Sequence, residues 1–213
     1  MTFFSGLLES RYAAQHKTNA EELSKSELVE CAPHSKLDNM CLEGGYFEHA
    51  YNYTVKDGLL SEQEYPYRNG DGNVESCKRV DFGFNETLVK PVNFTIGERS
   101  YLMSGNPEEI KNLLYQYGPM FAHVNAALLG ESKNFDIIRK DDVKCYPSND
   151  SPDENNRINH GVVLVGYGVE NDVPYWIIRN SWGTWSGEGG YHRMERGSNT
   201  CGIERCAILM FTN

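Results

Sequence analysis

Long apolar runs and an excess of basic residues are both missing from this sequence. No run of about 18 apolar residues occurs, so no membrane-spanning helix is predicted. Acidic residues outnumber basic ones by 30 to 20, and a formal net charge of −10 would repel the phosphates of nucleic acids. The first residues lack the basic region and apolar core of a signal peptide. We therefore expect neither a membrane protein nor a nucleic-acid-binding protein.

Metal-ligand spacing is also missing. The six cysteines include no Cys-x-x-Cys pair, the spacing that is typical of zinc sites. No internal repeat or low-complexity tract points to a solenoid or a disordered chain. We predict a globular protein that needs no metal and no cofactor.

The composition is sufficient for a folded core, because 39% of the 213 residues are hydrophobic. The pattern changes near residue 88, from helical and loop-rich segments to short β-like runs. Helices are predicted near residues 3–16, 24–31, 44–56 and 107–117. Strands are predicted near residues 89–96, 120–124, 162–167 and 175–179.

Two neighbouring segments carry the chemistry that is easiest to recognise. Residues 159–168 read NHGVVLVGYG, and residues 180–184 read NSWGT. A histidine at the start of an apolar strand can act as a general base, and an asparagine oxygen can accept a hydrogen bond from its other ring nitrogen. The sequence therefore predicts His160 as the base, Asn180 as its orienting partner and Trp182 as a shield over their contact.

Further segments extend this pattern along the chain. Residues 23–31 (LSKSELVEC), 41–46 (CLEGGY), 64–67 (EYPY) and 187–191 (GEGGY) follow in order. Together with the histidine and asparagine segments, they resemble the papain-like cysteine peptidases from about residue 6 to residue 206. In the first of them, Ser24 and Glu27 have the spacing of a helix capping box.

The resemblance implies a fold and a function. We expect an α+β, two-lobed papain-like fold, with a helical lobe over residues 1–87 and a β-barrel-like antiparallel lobe over residues 88–213. The implied activity is hydrolysis of peptide bonds in proteins by a cysteine-type peptidase. Polypeptide substrates or cystatin-like inhibitors are the implied partners, the chain is expected to be a monomer, and the implied location is the lysosome or the extracellular space.

The nucleophile of that family has no counterpart here. The family places it in a Cys-Gly-Ser-Cys-Trp signature at the N-terminus of a long helix, where the helix dipole favours the thiolate. This chain opens within the body of that helix, with Phe4, Leu8 and Tyr12 on one face. Met1 falls either at the nucleophile position or about two residues beyond it, and a thioether cannot form an acyl-enzyme. We expect the 213 residues alone to be inactive.

Six cysteines allow 15 pairings if all are bridged. The resemblance selects two disulfides, Cys31 with Cys77 and Cys145 with Cys201. It leaves Cys41 without its usual partner, and it places Cys206 at the floor of the main specificity pocket as a small buried thiol. Four Asn-x-Ser/Thr sequons add modest support for the secretory pathway; they begin at Asn52, Asn85, Asn93 and Asn149.

The resemblance also implies a substrate cleft. The backbone of Gly45, in the turn with Gly44, would pair with an extended peptide as an added strand. The other substrate-binding residues are expected to be Tyr46, Phe47, His123, Asn159, Gly161 and Cys206. His123 stands where a small apolar residue is usual, so a narrower and partly polar pocket is expected. Ser186 occupies the place of the family's second tryptophan, and Trp185 stands one position early.

Three hypotheses remain open at this point. The chain is part of a peptidase that begins upstream; or it is a non-catalytic relative, a pseudoenzyme that binds peptides or inhibitors; or it is a product that cannot fold stably. An upstream frame encoding Gln and Cys-Gly-Ser-Cys-Trp favours the first. Saturable peptide binding without turnover favours the second, and a cooperative melting transition counts against the third.

Overall fold

A computed structural model describes residues 2–32, 45, 47–79, 105–130, 136–141, 158–205 and 207–210. The chain divides into two compact units, Met1–Gly97 with Phe211–Asn213 and Glu98–Met210. The described part of the first unit is helical, and the described part of the second contains one α-helix, a short 3-10 helix and a β-sheet. Each unit is described below by itself.

The first helix, α1, covers Thr2–His16 and confirms the helix predicted near residues 3–16. Phe4 and Leu8 are buried on one face, as their spacing indicates. Glu9 on this helix accepts a hydrogen bond at 3.0 Å from the backbone N–H of Leu23. This bond anchors the segment that leads into the next helix.

The second helix, α2, covers Lys25–Cys31 and begins after Ser24, whose hydroxyl accepts the backbone N–H of Glu27 at 3.0 Å. Only this half of the predicted capping box forms. The backbone N–H of Ser24 donates instead to the carbonyl of Leu60. The Glu27 carboxylate accepts the backbone N–H of Leu60. In a complete capping box the Glu27 carboxylate would accept the backbone N–H of Ser24. Here the carbonyl of Leu60 accepts that N–H, so a contact with a distant residue replaces the local bond.

The third helix, α3, covers Phe47–Asp57, where the sequence predicted a helix near residues 44–56. Gly58 ends it with a φ of +70° and donates its N–H to Thr54. A glycine suits this left-handed position because it has no Cβ. The structure contains the disulfide between Cys31 and Cys77 that the resemblance implies.

In the second unit, helix α4 covers Pro107–Tyr117, as predicted. Its N-cap is Asn106, whose side-chain oxygen accepts the N–H groups of Glu108 and Glu109. Pro107 lies in the first turn, where a missing N–H costs nothing. Gly118 follows the helix with a φ of +86° and leads into the sheet.

The sheet of the second unit has five described strands. They are β1 (Met120–Val124), β2 (His160–Glu170), β3 (Val173–Arg179), β4 (Tyr191–Glu195) and β5 (Ala207–Ile208). The strand order is β4-β3-β2-β1-β5, and every neighbouring pair is antiparallel. Within the described residues the sheet is open rather than closed into a barrel. Its buried core centres on Trp176, Phe121 and Leu164.

The observed strands extend the sequence predictions. β2 and β3 are longer than the predicted runs at 162–167 and 175–179, and β1 matches its predicted range. The strands β4 and β5 were not predicted. The predicted strand at 89–96 lies outside the described residues. Across the described ranges, no helix combines the length and apolar character that crossing a membrane requires.

Candidate active site

The sheet topology brings His160 and Asn180 together. His160 is the first residue of β2, and Asn180 directly follows the last residue of β3. Because these strands are antiparallel neighbours, with Val163 opposite Arg179, the start of one meets the end of the other. The His160 Nε2 atom lies 2.9 Å from Oδ1 of Asn180.

Backbone contacts fix the orientation of the Asn180 side chain. Its oxygen Oδ1 also accepts the backbone N–H of Ser181 at 2.8 Å, so the atom facing His160 is the acceptor. The backbone N–H of Asn180 donates to the carbonyl of Gly190 at 2.9 Å. An acceptor opposite Nε2 requires a proton on Nε2. The other ring nitrogen of His160, Nδ1, is then the one with a free lone pair.

Trp182 covers this pair. Its ring centroid lies 5.1 Å from that of His160, with the planes tilted by 40°. Burial lowers the pKa of His160 below its usual value, and the hydrogen bond to Asn180 acts in the opposite direction. The Nδ2 atom of Asn180 is buried, and no residue of the described ranges bonds to it. The site therefore favours a neutral imidazole with a fixed tautomer.

Two more predicted residues flank His160 in the chain. Asn159 donates its backbone N–H to Val124, and its side-chain oxygen accepts the N–H of Ala126 at 3.0 Å. Gly161 pairs with His123 across the β1–β2 ladder. Side chains alternate between the two faces of a strand, so Gly161 and His123 share one face and His160 occupies the other.

His123 is half-buried, and its ring contacts Phe121 edge-on with centroids 4.5 Å apart. The structure pairs His123 with Gly161 on neighbouring strands. Their role in binding substrate stays a prediction.

The remaining predicted substrate residues belong to the first unit or lie outside the described residues. Gly45 is described and half-buried, while Phe47 is buried against Phe4, with ring centroids 5.4 Å apart. Phe47 is therefore a core residue of the first unit. The predictions that fall outside the described residues concern Met1, Cys41, Gly44, Tyr46, Cys145 and Cys206. Cys201, the expected partner of Cys145, is disulfide-bonded.

Sequence reasoning missed one polar pair near this site. The hydroxyl of Ser186 lies 3.0 Å from Nε2 of His192, and both side chains are buried. From the sequence, Ser186 is notable only because it stands where the resemblance expects a tryptophan. Its partner on β4 lies six residues away across a hairpin, and the pairing would have been visible only if that strand had been predicted. Trp185, by contrast, is 77% exposed.

Glu188 has a structural role in this hairpin. Its carboxylate accepts a hydrogen bond from Nε of Arg193 at 2.5 Å, and its backbone N–H donates to Tyr191. Among the described residues, no group of three His, Cys, Asp or Glu side chains is placed to hold a metal ion. The described site offers acid–base chemistry from one imidazole.

Sequence comparisons place the chain in a family. The family model described as papain family cysteine protease matches residues 4–211. A viral cathepsin from Spodoptera exigua nuclear polyhedrosis virus is 37% identical over 201 residues, covering 93% of this chain and 50% of that protein. Cysteine proteinase 3 from Solanum lycopersicum is 34% identical, covering 95% of this chain and 51% of that protein. The chain thus spans about half the length of these relatives.

Solved structures share the fold. Digestive procathepsin L 3 from Tenebrio molitor larval midgut superposes with a TM-score of 0.75 at 28% identity, covering 98% of this chain and 62% of that one. Bromelain from Ananas comosus, solved with the inhibitor E64, gives a TM-score of 0.76 at 23% identity, covering 99% of this chain and 87% of that one. The predicted α+β, papain-like fold is confirmed. The chain belongs to the papain family of cysteine proteases.

Proposed function

We propose that this chain carries the acid–base machinery of a cysteine-type peptidase that hydrolyses peptide bonds in proteins. The supporting observation is the contact of 2.9 Å between His160 and Asn180 beneath Trp182. In this proposal a cysteine thiolate is supplied by a segment upstream of residue 1, as the resemblance implies. His160 is the base and acid, Asn180 is the positioning residue, and Trp182 shields their hydrogen bond.

The proton path follows from the tautomer. Since Nε2 of His160 donates to Asn180, Nδ1 is the atom that accepts the proton of the thiol. The thiolate attacks the carbonyl carbon of the peptide, and His160 passes the proton to the leaving nitrogen as the C–N bond breaks. Water then attacks the thioester and gives a proton to Nδ1. The acid product leaves, and the thiol regains its proton.

The substrate-binding residues are also part of the proposal. Asn159, His123 and Gly161 of the second unit are proposed to contact an extended peptide, because they lie next to His160 in sequence or in strand register. Gly44, Gly45, Tyr46, Phe47 and Cys206 are proposed partners on the strength of the resemblance. Cystatin-like inhibitors are proposed to bind these same residues, and the protein is proposed to be a monomer.

We also propose a location in the lysosome or outside the cell. The bonded cysteines Cys31, Cys77 and Cys201 support it, because disulfides persist mainly in oxidising compartments. Asn52 is exposed on α3 and remains a candidate for glycosylation. Intact mass measured before and after glycosidase treatment tests this part of the proposal.

A non-catalytic relative is the second candidate, since no cysteine precedes Cys31 in the 213 residues. The deciding experiment starts with the intact mass and N-terminal sequence of the protein from its source. Fluorogenic peptide hydrolysis and labelling by a thiol-directed peptide epoxide are then measured on the native protein and on the 213-residue chain.

The two functions predict different results. A peptidase requires an upstream cysteine, turnover by the native protein and loss of that turnover in His160→Ala. The matched control is His16→Ala, which removes an exposed histidine at the end of α1. A native start at Met1, peptide binding and no turnover would support the non-catalytic relative. Epoxide labelling of the 213-residue chain at an active-site residue would refute its expected inactivity.

A further inference from the structure

The loop that joins β3 to β4 carries two of the three residues of the candidate site. It covers residues 180–190 and includes Asn180 and Trp182. Residues 183–185 are exposed, so the packing of those side chains does not hold the loop in place. Ser186 stands where the resemblance expects a tryptophan. The loop therefore needs another anchor, because the bond between Asn180 and His160 depends on where the loop lies.

A buried hydrogen bond supplies that anchor. Oγ of Ser186 lies 3.0 Å from Nε2 of His192, and each residue is 3% exposed. His192 is fixed within the sheet, since it pairs with Ile178 across the β3–β4 ladder. Gly187 packs so closely against the imidazole that an added Cβ would lie 2.7 Å from Cε1 and 2.8 Å from Nδ1. The ring therefore has little room to turn away from the serine.

Backbone bonds connect Ser186 to Asn180. The carbonyl of Ser186 accepts the N–H of Gly190 at 2.8 Å, and the carbonyl of Gly190 accepts the N–H of Asn180 at 2.9 Å. The N–H of Ser186 donates at 3.3 Å to the carbonyl of Gly183, which directly follows the covering tryptophan. A displacement of Ser186 would therefore move both the asparagine that faces the imidazole and the ring that covers it.

The charge of His160 favours a neutral anchor. Burial lowers the pKa of His192, Glu188 raises it, and the charge of a protonated His160 lowers it. Because each imidazole disfavours the protonation of the other, His192 is favoured as a neutral partner of Ser186 when His160 holds a proton. The anchoring bond is therefore compatible with a change of charge at the site.

A second side-chain bond joins the same loop to β4. The Glu188 carboxylate accepts from Nε of Arg193, but 32% of the Glu188 side chain is exposed. Exposed ion pairs contribute little to stability. The backbone N–H of Glu188 donates to Tyr191, so this contact fixes the end of the hairpin. Glu188 thus offers a matched comparison for the buried anchor.

We propose that Ser186 and His192 are positioning residues for the reaction, because their bond fixes the loop that presents Asn180 to His160. In this proposal neither side chain touches the reacting atoms, and both act through Asn180. The inference rests on the proposed function, in which His160 is the base. It adds two residues to which the resemblance gives no part in the chemistry.

Exchange of the Nε2 proton of His160 with water, followed by NMR, tests the proposal on the protein at the length found in its source. Ser186→Ala and His192→Leu are expected to speed this exchange about tenfold, the effect of losing one hydrogen bond. His192→Gln should restore the slow rate, because its amide can still accept from Ser186. Glu188→Gln, which can still accept from Arg193, should leave the rate unchanged. Equal rates in Ser186→Ala and Glu188→Gln would overturn the proposal.

Kinetics distinguish positioning from a purely structural role. In an active protein, Ser186→Ala should lower kcat and kcat/KM equally, because the lost interaction serves the transition state rather than substrate binding. A raised KM with unchanged kcat would overturn the proposal. Proton exchange needs no turnover, so an inactive native protein would refute the proposed function while the exchange rates still decide the role of Ser186.

A third measurement needs no variant. In the unsubstituted protein, Nε2–H of His160 and the backbone N–H groups of Asn180 and Gly190 should exchange through one common opening of the loop. Equal opening free energies for the three protons, after correction for their intrinsic rates, support the proposal. Exchange of the His160 proton through a separate, more frequent opening would overturn it, because the bond to Asn180 would then break without movement of the loop.

Discussion

Ser186 and His192 form a buried hydrogen bond, with 3.0 Å between Oγ of the serine and Nε2 of the imidazole. Each residue is only 3% exposed. The bond joins the loop that carries Trp182 to strand β4. A short polar pair therefore occupies the place where the resemblance expects a second tryptophan, and it ties the covering loop to the sheet.

Removing the serine hydroxyl should destabilise the second unit. In Ser186→Ala the buried ring nitrogen of His192 loses its hydrogen bond to Ser186, which costs roughly 1–3 kcal/mol of unfolding free energy. Urea denaturation followed by tryptophan fluorescence measures this change. The control is Ser181→Ala, which removes an exposed hydroxyl from the same loop. Equal stabilities of the two variants would contradict the structural role of the bond.

The stability of the protein should depend on pH through His192. Burial lowers the pKa of His192, so as pH falls below the usual value of about 6.5 the unfolded chain takes up a proton before the folded chain does. The unfolding free energy therefore decreases with falling pH, by up to about 1.4 kcal/mol per unit for this group. Above that pH, His192 does not make the unfolding free energy depend on pH.

His192→Gln isolates this effect, because the amide can still accept from Ser186 but does not titrate. Urea denaturation at several pH values between about 5 and 7 gives the slope for each protein. The carboxylates titrate in both, so the difference between the slopes reports the imidazole. A variant with the same slope as the unsubstituted chain would refute the assignment.

Asn180→Ala tests how the base is positioned. The hydrogen bond from Nε2 raises the pKa of His160, so its loss should lower that pKa further. A titration of the His160 ring resonances by NMR in the 213-residue chain measures the shift without any turnover. In an active parent protein we expect turnover to fall roughly ten- to a hundredfold without being abolished. Thr184→Ala, an exposed change in the same loop, is the control; an unchanged His160 pKa in Asn180→Ala would refute the orienting role.

Local signals in the sequence predict most of the helices and the pairing of His160 with Asn180. Proline in the first turn marks α4, a serine N-cap marks α2, and the linked His160 and Asn180 segments indicate the candidate site. Each signal lies within a few residues or within one recognisable motif. The sequence therefore placed these elements to within a few residues.

Contacts between distant residues could not be read in the same way. The spacing of Ser24 and Glu27 predicts a local capping box, but the Glu27 carboxylate accepts hydrogen bonds from Tyr53 and Leu60. The strand β4 has no comparable local signal, because its residues Tyr191–Glu195 form no long apolar run. The burial of Arg11 depends on packing that the spacing of apolar residues on α1 does not reveal.

The buried pair of Glu27 and Arg79 provides a last test. Glu27 is fully buried, and it accepts hydrogen bonds from Arg79, from Tyr53 at 2.7 Å and from the backbone of Leu60 at 2.7 Å. Arg79→Met removes the cation and leaves the carboxylate enclosed, which should cost about 3 kcal/mol or more. Because burial already raises the pKa of Glu27, losing the arginine should raise that pKa further.

A double-mutant cycle separates the pair from its surroundings. Glu27→Gln with Arg79→Met should recover part of the loss, because the neutral amide tolerates burial better than an unpaired carboxylate. Lys78→Met is the control, since Lys78 pairs with Glu75 on the surface and such pairs contribute less than about 1 kcal/mol. Additive losses in the cycle, measured by urea denaturation, would mean that Arg79 stabilises the first unit through packing rather than by compensating the charge of Glu27.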